Sequence, residues 1–199
     1  MPIKLTSRQQ LALGLVLGLT MILTRPHSFN SLHHLPGTSW AVFFLAGLFI
    51  QRAGLFFAYC GLAAAIDYAA ITYAGVSNYC VTPAYAMLLP AYGALWLGGR
   101  WYARAHADAV ATLPRLALAV AGAALVAELF SSGGFYFLGG RFAEPTLAEF
   151  SARLVRYFPH NLGTLAMYVT TAAVVYAAWA VWLRADPEVL GTGQDSLHK

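Results

Sequence analysis

One cysteine, Cys80, stands at the centre of GVSNYCVTPAY, residues 75–85, an uncharged stretch between two long apolar runs. A thiolate is a nucleophile and a strong ligand for soft metals, whereas a thiol packed in an apolar helix is inert. The setting favours ionisation. Pro83 suits the first turn of a following helix, and a helix N-terminus stabilises negative charge. Gly75 supplies backbone freedom at the start of the stretch. Elsewhere the chain offers two carboxylates inside apolar runs, Asp67 and Glu128, with imidazoles at His27, His33, His34 and His160. Tyr85 adds a phenol five residues beyond the cysteine. The other cysteine, Cys60, lies between Tyr59 and Gly61 in an apolar run, where a thiol behaves as a small hydrophobe. One cysteine in a run and one in a loop, 20 residues apart, predict no disulfide, and no zinc spacing is present.

Whether these groups can act together depends on the elements that carry them. Of the 199 residues, 59% are hydrophobic and only 10% charged. Soluble domains carry about 25% charged residues, so the composition predicts an all-α integral membrane protein in one domain, 1–199. A net charge of +4 built from so few charges speaks to topology and excludes a nucleic-acid partner. A membrane span takes about 17–25 apolar residues. Six are expected, at 9–24, 39–51, 53–75, 83–99, 113–138 and 161–183. Pro90 predicts a kink in the fourth, and Ser131-Ser132-Gly133-Gly134 a loosened end to the fifth. Residues 146–158 alternate polar and apolar positions at helical spacing, which predicts a separate short surface helix before the sixth span. No A-x-A-like site follows 9–24, so the first span is expected to be a retained helix rather than a cleaved signal.

Positive charges set the orientation. With the N-terminus inside, Lys4, Arg8, Arg52, Arg100, Arg104, Arg115, Arg184 and Lys199 fall on the inner side. Only Arg25, Arg141, Arg153 and Arg156 fall outside, and eight against four predicts N-in and C-in. Trp96, Trp101, Trp179 and Trp182 then form the inner aromatic belt. The loop with Cys80 faces outward. So do loop 25–38, RPHSFNSLHHLPGT, and the outer halves of the spans holding Asp67 and Glu128. His160 and Tyr85 arrive at the same end.

Each residue has a plainer alternative. A carboxylate within a span is disfavoured by about 2.5–3.5 kcal/mol at the helix centre, so Asp67 either faces a cavity or makes a structural helix–helix hydrogen bond. Glu128 is open to local hydrogen bonding with Ser131 and Ser132. His27 is either a site residue or a solvated loop residue. His33, His34 and His160 read best as solvated interface histidines.

The size, the six N-in spans and the loop-rich outer face resemble the substrate-binding S-components of energy-coupling factor (ECF) transporters. DYAAITYAGVSNYCVTPAYAMLLPAYG, residues 67–93, is similar more specifically to the BtuM family of S-component-like proteins implicated in cobalamin uptake. The resemblance implies an ECF S-component-like bundle in a bacterial inner membrane, with cobalamin as cargo rather than as a tightly bound cofactor. It makes Cys80 the axial ligand of the cobalamin cobalt. It sets Asp67, Tyr85 and His27 among the polar residues around the substrate. S-components dock on a shared ECF module through an A-x-x-x-A motif on the first helix. This chain has Gly14-Leu15-Val16-Leu17-Gly18 there, which still permits close helix packing but favours a solitary carrier.

The chemistry suits such a cargo. A large amphipathic ligand wants aromatic walls and a few polar anchors. Tyr79, Tyr85, Phe135, Tyr136, Phe137, Tyr157 and Phe158 are candidate walls, and Asn78, Asn161 and Asp67 candidate partners for corrin amides. Thiolate coordination would push electron density onto cobalt and loosen the ligand on its opposite face. Decyanation of cyanocobalamin, with Cys80 as the reacting group, is therefore an expectation beside transport. Rival readings are carriage of another vitamin or of a nickel or cobalt ion through His27, His33 and His34. A haem protein would need histidines facing each other within spans. A non-transport scaffold would leave the acids in the outer halves without purpose. No phosphate-binding loop is present, so the chain is not expected to hydrolyse ATP.

Overall fold

Helix signals along the chain are met by six helices in a computed structural model that describes residues 5–25, 36–50, 52–106 and 110–185. They are α1 (Ser7–Thr24), α2 (Ser39–Phe49), α3 (Gly54–Tyr73), α4 (Leu88–Ala105), α5 (Leu113–Leu138) and α6 (Leu147–Ala185). Short 3-10 turns occupy Asn78–Cys80, Pro83–Met87 and Val110–Thr112. No strand occurs among the described residues. Of Cys80 only the backbone is described, and His27, His33 and His34 lie outside the described residues.

Local chemistry fixes the ends. Thr6 and Gln9 form a reciprocal capping box at the start of α1. Thr24 and Thr38 hydroxyls meet at 2.8 Å, and Thr24 Oγ1 also accepts from the Thr38 amide at 3.1 Å, which ties the end of α1 to the start of α2.

Three helices are long and apolar enough to cross a membrane: α3, α5, and α6 over Leu147–Trp182. Three expectations need correction. The second expected span is an 11-residue helix, about 16 Å long, with every residue from Ala41 to Leu48 buried. It is a core helix wrapped by its neighbours. The expected surface helix and the sixth span are one helix of 39 residues that runs through Pro159. A proline removes one ladder bond, here the one to the Val155 carbonyl, and Pro159 lies on an exposed stretch of the helix. Pro90 makes no kink. The fourth segment begins with the 3-10 turn Pro83–Met87, so Pro90 falls in the first turn of α4, where its missing N–H is no loss. The fifth span keeps its expected bounds and stays helical through Ser131–Gly134.

The core forms around α2. Phe43 stacks on Tyr92 at 4.1 Å between ring centroids and meets Phe56 and Tyr59 edge-on. The α2–α4 crossing depends on two glycines. A Cβ at Gly99 would collide with the Phe44 carbonyl, and one at Gly47 with the Trp96 carbonyl. Backbone cannot yield as a flexible side chain can, so Gly99→Ala is expected to destabilise by about 2–3 kcal/mol, at the upper end for overpacking. Thermal unfolding in detergent checks this. Gly61→Ala, whose Cβ would meet nothing, is expected to leave the midpoint unchanged or slightly higher.

The sequence motif Gly14-x-x-x-Gly18 is spent inside the molecule. Both glycines are buried, and a Cβ at either would touch Tyr59. The Tyr59 hydroxyl donates to the Gly14 carbonyl at 2.8 Å. The close packing that small residues allow joins α1 to α3. The remaining surface of α1 is apolar and exposed at Leu11, Leu15, Val16 and Leu19.

Candidate functional site

Arg25 is the C-cap of α1, its N–H bonded to the Met21 carbonyl. Its guanidinium reaches across the bundle and bonds four oxygens on three side chains, one from each of three helices. Nε donates to Asp67 Oδ1 at 2.7 Å and an Nη to Oδ2 at 2.7 Å, a bidentate pair with α3. The other Nη donates to Ser39 Oγ at 2.8 Å and to the Tyr92 hydroxyl at 2.9 Å. Tyr85, in the 3-10 turn before α4, donates its hydroxyl to Asp67 Oδ2 at 2.7 Å. That turn is closed by the Tyr85 amide on the Thr82 carbonyl, which aims the ring inward. Burial works against the Arg25 charge, but the hydrogen bond and charge of Asp67, with Tyr92 beside them, hold it above its ordinary value. A charged pair removed this far from water persists only with all its donors satisfied.

The network borders two cavity lobes at one end of the bundle. One, about 370 Å³, lies between Arg25, Asp67, Tyr85, Glu128, Phe135, Tyr136, Arg153 and Tyr157. The other, about 450 Å³, is lined by Arg25, Ser39, Trp40, His160, Asn161 and Thr164. Arg25, Leu88 and Ser131 line both. Glu128 is only 1% exposed. It accepts Ser132 Oγ at 2.5 Å on Oε1 and Asn161 Nδ2 at 2.8 Å on Oε2.

Aromatic and cationic groups form the remaining wall. Arg153 lies over the rings of Phe142, Tyr136 and Tyr157 at 4.8, 5.6 and 5.7 Å. The Tyr136 hydroxyl donates to Glu149 at 2.9 Å. Tyr79 packs on Phe135 of the first lobe at 5.8 Å between centroids, with Arg141 over its ring at 4.8 Å. Tyr79 is the middle residue of the turn Asn78–Cys80, whose start is capped by Ser77 accepting from the Tyr79 amide. The backbone of Cys80 therefore follows directly on a residue in contact with the cavity wall. Two residues further on, the Thr82 hydroxyl is buried with no hydrogen-bond partner among the described residues.

Of the residues expected from sequence, Asp67 and Tyr85 are brought into direct contact. His160 lines the second lobe. Asn161, expected to meet a ligand amide, instead holds Glu128. Tyr79, Tyr85, Phe135, Tyr136 and Tyr157 stand at or against the first lobe. Phe158 packs against the core instead. Cys60 is a free, half-buried thiol. Arg25, Ser39 and Tyr92 were not expected. Arg25 carried a signal, a cation directly after an apolar run and before Pro26, but it reads as a topology charge. Among the described residues, no three His, Cys, Asp or Glu side chains form a group able to hold a metal ion by themselves. Compared with models of known protein families and with curated protein sequences, the chain matches none.

Proposed function

We propose that the chain is a corrinoid carrier of the BtuM type: a solitary, multi-pass protein of a bacterial inner membrane that takes cobalamin at its outer face. The observation that carries the reading is the Arg25–Asp67–Tyr85 network bordering a cavity at the end of the bundle from which the Cys80 turn springs. The exposed apolar faces of α1, α3, α5 and α6 suit lipid contact. The helices run N-in, with α2 as a core helix inside the bundle.

In this reading the Cys80 thiolate binds cobalt on one axial face. Cobalt held in a corrin already has its equatorial ligands, so one protein ligand suffices. Asp67 fixes the floor. Three of roughly four lone-pair directions on its oxygens are taken by Arg25 and Tyr85, which leaves about one for a corrin amide. Each lobe by itself falls within the 300–1,000 Å³ range of ligand pockets. His27, two residues beyond Arg25 in the sequence and outside the described residues, is the further polar residue that the family resemblance implies. With Gly14 and Gly18 packed on α3, the motif that S-components use for docking is occupied, which favours solitary operation over a shared ECF module.

When the thiolate binds cyanocobalamin, it displaces the nucleotide base from one axial face; cyanide on the opposite face leaves to solvent with its bonding pair and water takes its place, so cobalt keeps its oxidation state. The visible spectrum tests this. Wild type is expected to convert the cyanide-bound spectrum and Cys80→Ala to leave it unchanged; no change in either excludes decyanation. A competition measurement separates corrinoid from ion carriage: cobinamide is expected to displace cobalamin, while nickel and cobalt ions are not. Displacement by the free ions alone would favour the ion carrier.

A further inference from the structure

Glu128 lines the first lobe without a role in the cobalt ligation or amide contacts just described, and it is the most deeply buried carboxylate among the described residues. No Lys, Arg or His nitrogen among the described residues lies within ion-pair distance of it. Its partners are neutral: Ser132 one turn later on α5, and Asn161 across the seam on α6. An ionised carboxylate is costly to bury without a cation, and ionisable residues within membrane segments mark ion or proton paths.

The geometry of the two oxygens is what points to a proton. Oε2 accepts from the Asn161 amide, which serves the charged and the neutral acid equally. Oε1 accepts from a hydroxyl at 2.5 Å, the short end of the range for O–H···O⁻ contacts. A serine hydroxyl both donates and accepts. If Oε1 gains a proton, the Ser132 hydroxyl turns and accepts from it, and no heavy atom needs to move. One constellation therefore satisfies both protonation states. It also borders the cavity: Glu128, Ser131 and Ser132 line the first lobe, and Ser131 and Asn161 the second. The other charged and titratable groups lining the two lobes are Arg25 from the end of α1, Asp67 from α3, Tyr85 from the turn before α4, Tyr136 from α5, and Arg153, Tyr157 and His160 from α6.

We propose that Glu128, with Ser132 and Asn161, is a proton-binding site that couples filling and emptying of the cavity to proton movement. A proton from the outer solvent forms the Oε1–H bond with the cavity occupied and leaves toward the inside as the cargo departs. The step involves no redox change and no group transfer. The coupling rests on the carrier reading above, whereas the proton site does not.

Two measurements test it. In the ligand-free protein, a pH-difference infrared spectrum is expected to contain a buried carboxylic-acid band that persists in Glu149→Gln and vanishes in Glu128→Gln. A band that survives in Glu128→Gln, or no such band in wild type, overturns the site. Ser132→Ala, which keeps the acid but removes its reversible partner, is expected to shift the titration of the band; an unmoved titration counts against the arrangement even if Glu128→Gln fails to fold. In proteoliposomes, one pH unit imposed acid-outside is expected to raise hydroxocobalamin uptake by up to about tenfold in wild type. Glu128→Gln is expected to be indifferent to the gradient. A wild type equally indifferent overturns the coupling. No corrinoid uptake under any condition overturns the carrier reading and the coupling with it, while the infrared band still decides whether Glu128 holds the proton.

Discussion

Cys80→Ala is expected to weaken corrinoid binding on the order of 100-fold or more. Loss of an outer-shell partner of a metal ligand already lowers metal affinity by about 10–100-fold, and here the ligand itself is lost. The change is small in every other respect. Cys80 ends a three-residue turn whose other anchors are independent of its side chain: the Ser77 cap, and Tyr79 between Phe135 and Arg141. The turn is expected to persist, so the variant should fold with an unchanged thermal midpoint and fail only in binding. Titration of purified protein with hydroxocobalamin, followed by its visible spectrum, measures the loss. Equal affinity in wild type and variant would remove the sulfur–cobalt bond from the account. A lowered midpoint would instead assign Cys80 a structural role.

The second large effect concerns the floor of the site. Arg25→Met removes the cation from a carboxylate whose side chain is 27% exposed, leaving Asp67 with the Tyr85 hydroxyl alone. Breaking a buried ion pair by deleting one partner typically destabilises by 3–5 kcal/mol. Partial exposure reduces the expected figure to about 2–3 kcal/mol, a fall of roughly 5–10 °C for a chain of this size. The pair is not required for folding as such. Replacing both partners, as Arg25→Met with Asp67→Leu, is expected to recover more than half of the lost stability, since no orphaned charge remains. Corrinoid binding is not expected to return with it. Thermal unfolding of the two single variants and the double variant, beside wild type, gives the coupling directly. Additive losses would mean that the Arg25–Asp67 contact does not hold the bundle end together.

Much of the framework was legible because apolar runs and charge punctuation survive without tertiary context. The bounds of α5 follow from them, as does the arrival of Asp67 and Tyr85 at one end of the bundle, though not the hydrogen bond between them. Other features depend on partners that no local pattern names. Arg25 looks like one more charge after an apolar run; its role appears only when α3 and α4 bring Asp67 and Tyr92 beneath it. Glu128 invited a local reading, and Ser132 does bond it, but Asn161 lies 33 residues away on another helix. Residues 146–158 read as a separate short helix from their own polar–apolar alternation, and Pro159 lies between them and the expected sixth span. Here one lost backbone bond on an exposed stretch is too small a penalty to divide α6. The Gly14/Gly18 spacing was legible as a packing device, but its partner, Tyr59 of the same chain, was not.

The most direct test of the central claim is the X-ray absorption fine structure at the cobalt edge for purified protein loaded with hydroxocobalamin. A sulfur neighbour in the first shell of wild type, absent from Cys80→Ser, is the result expected. A first shell of nitrogen and oxygen alone in wild type would contradict it.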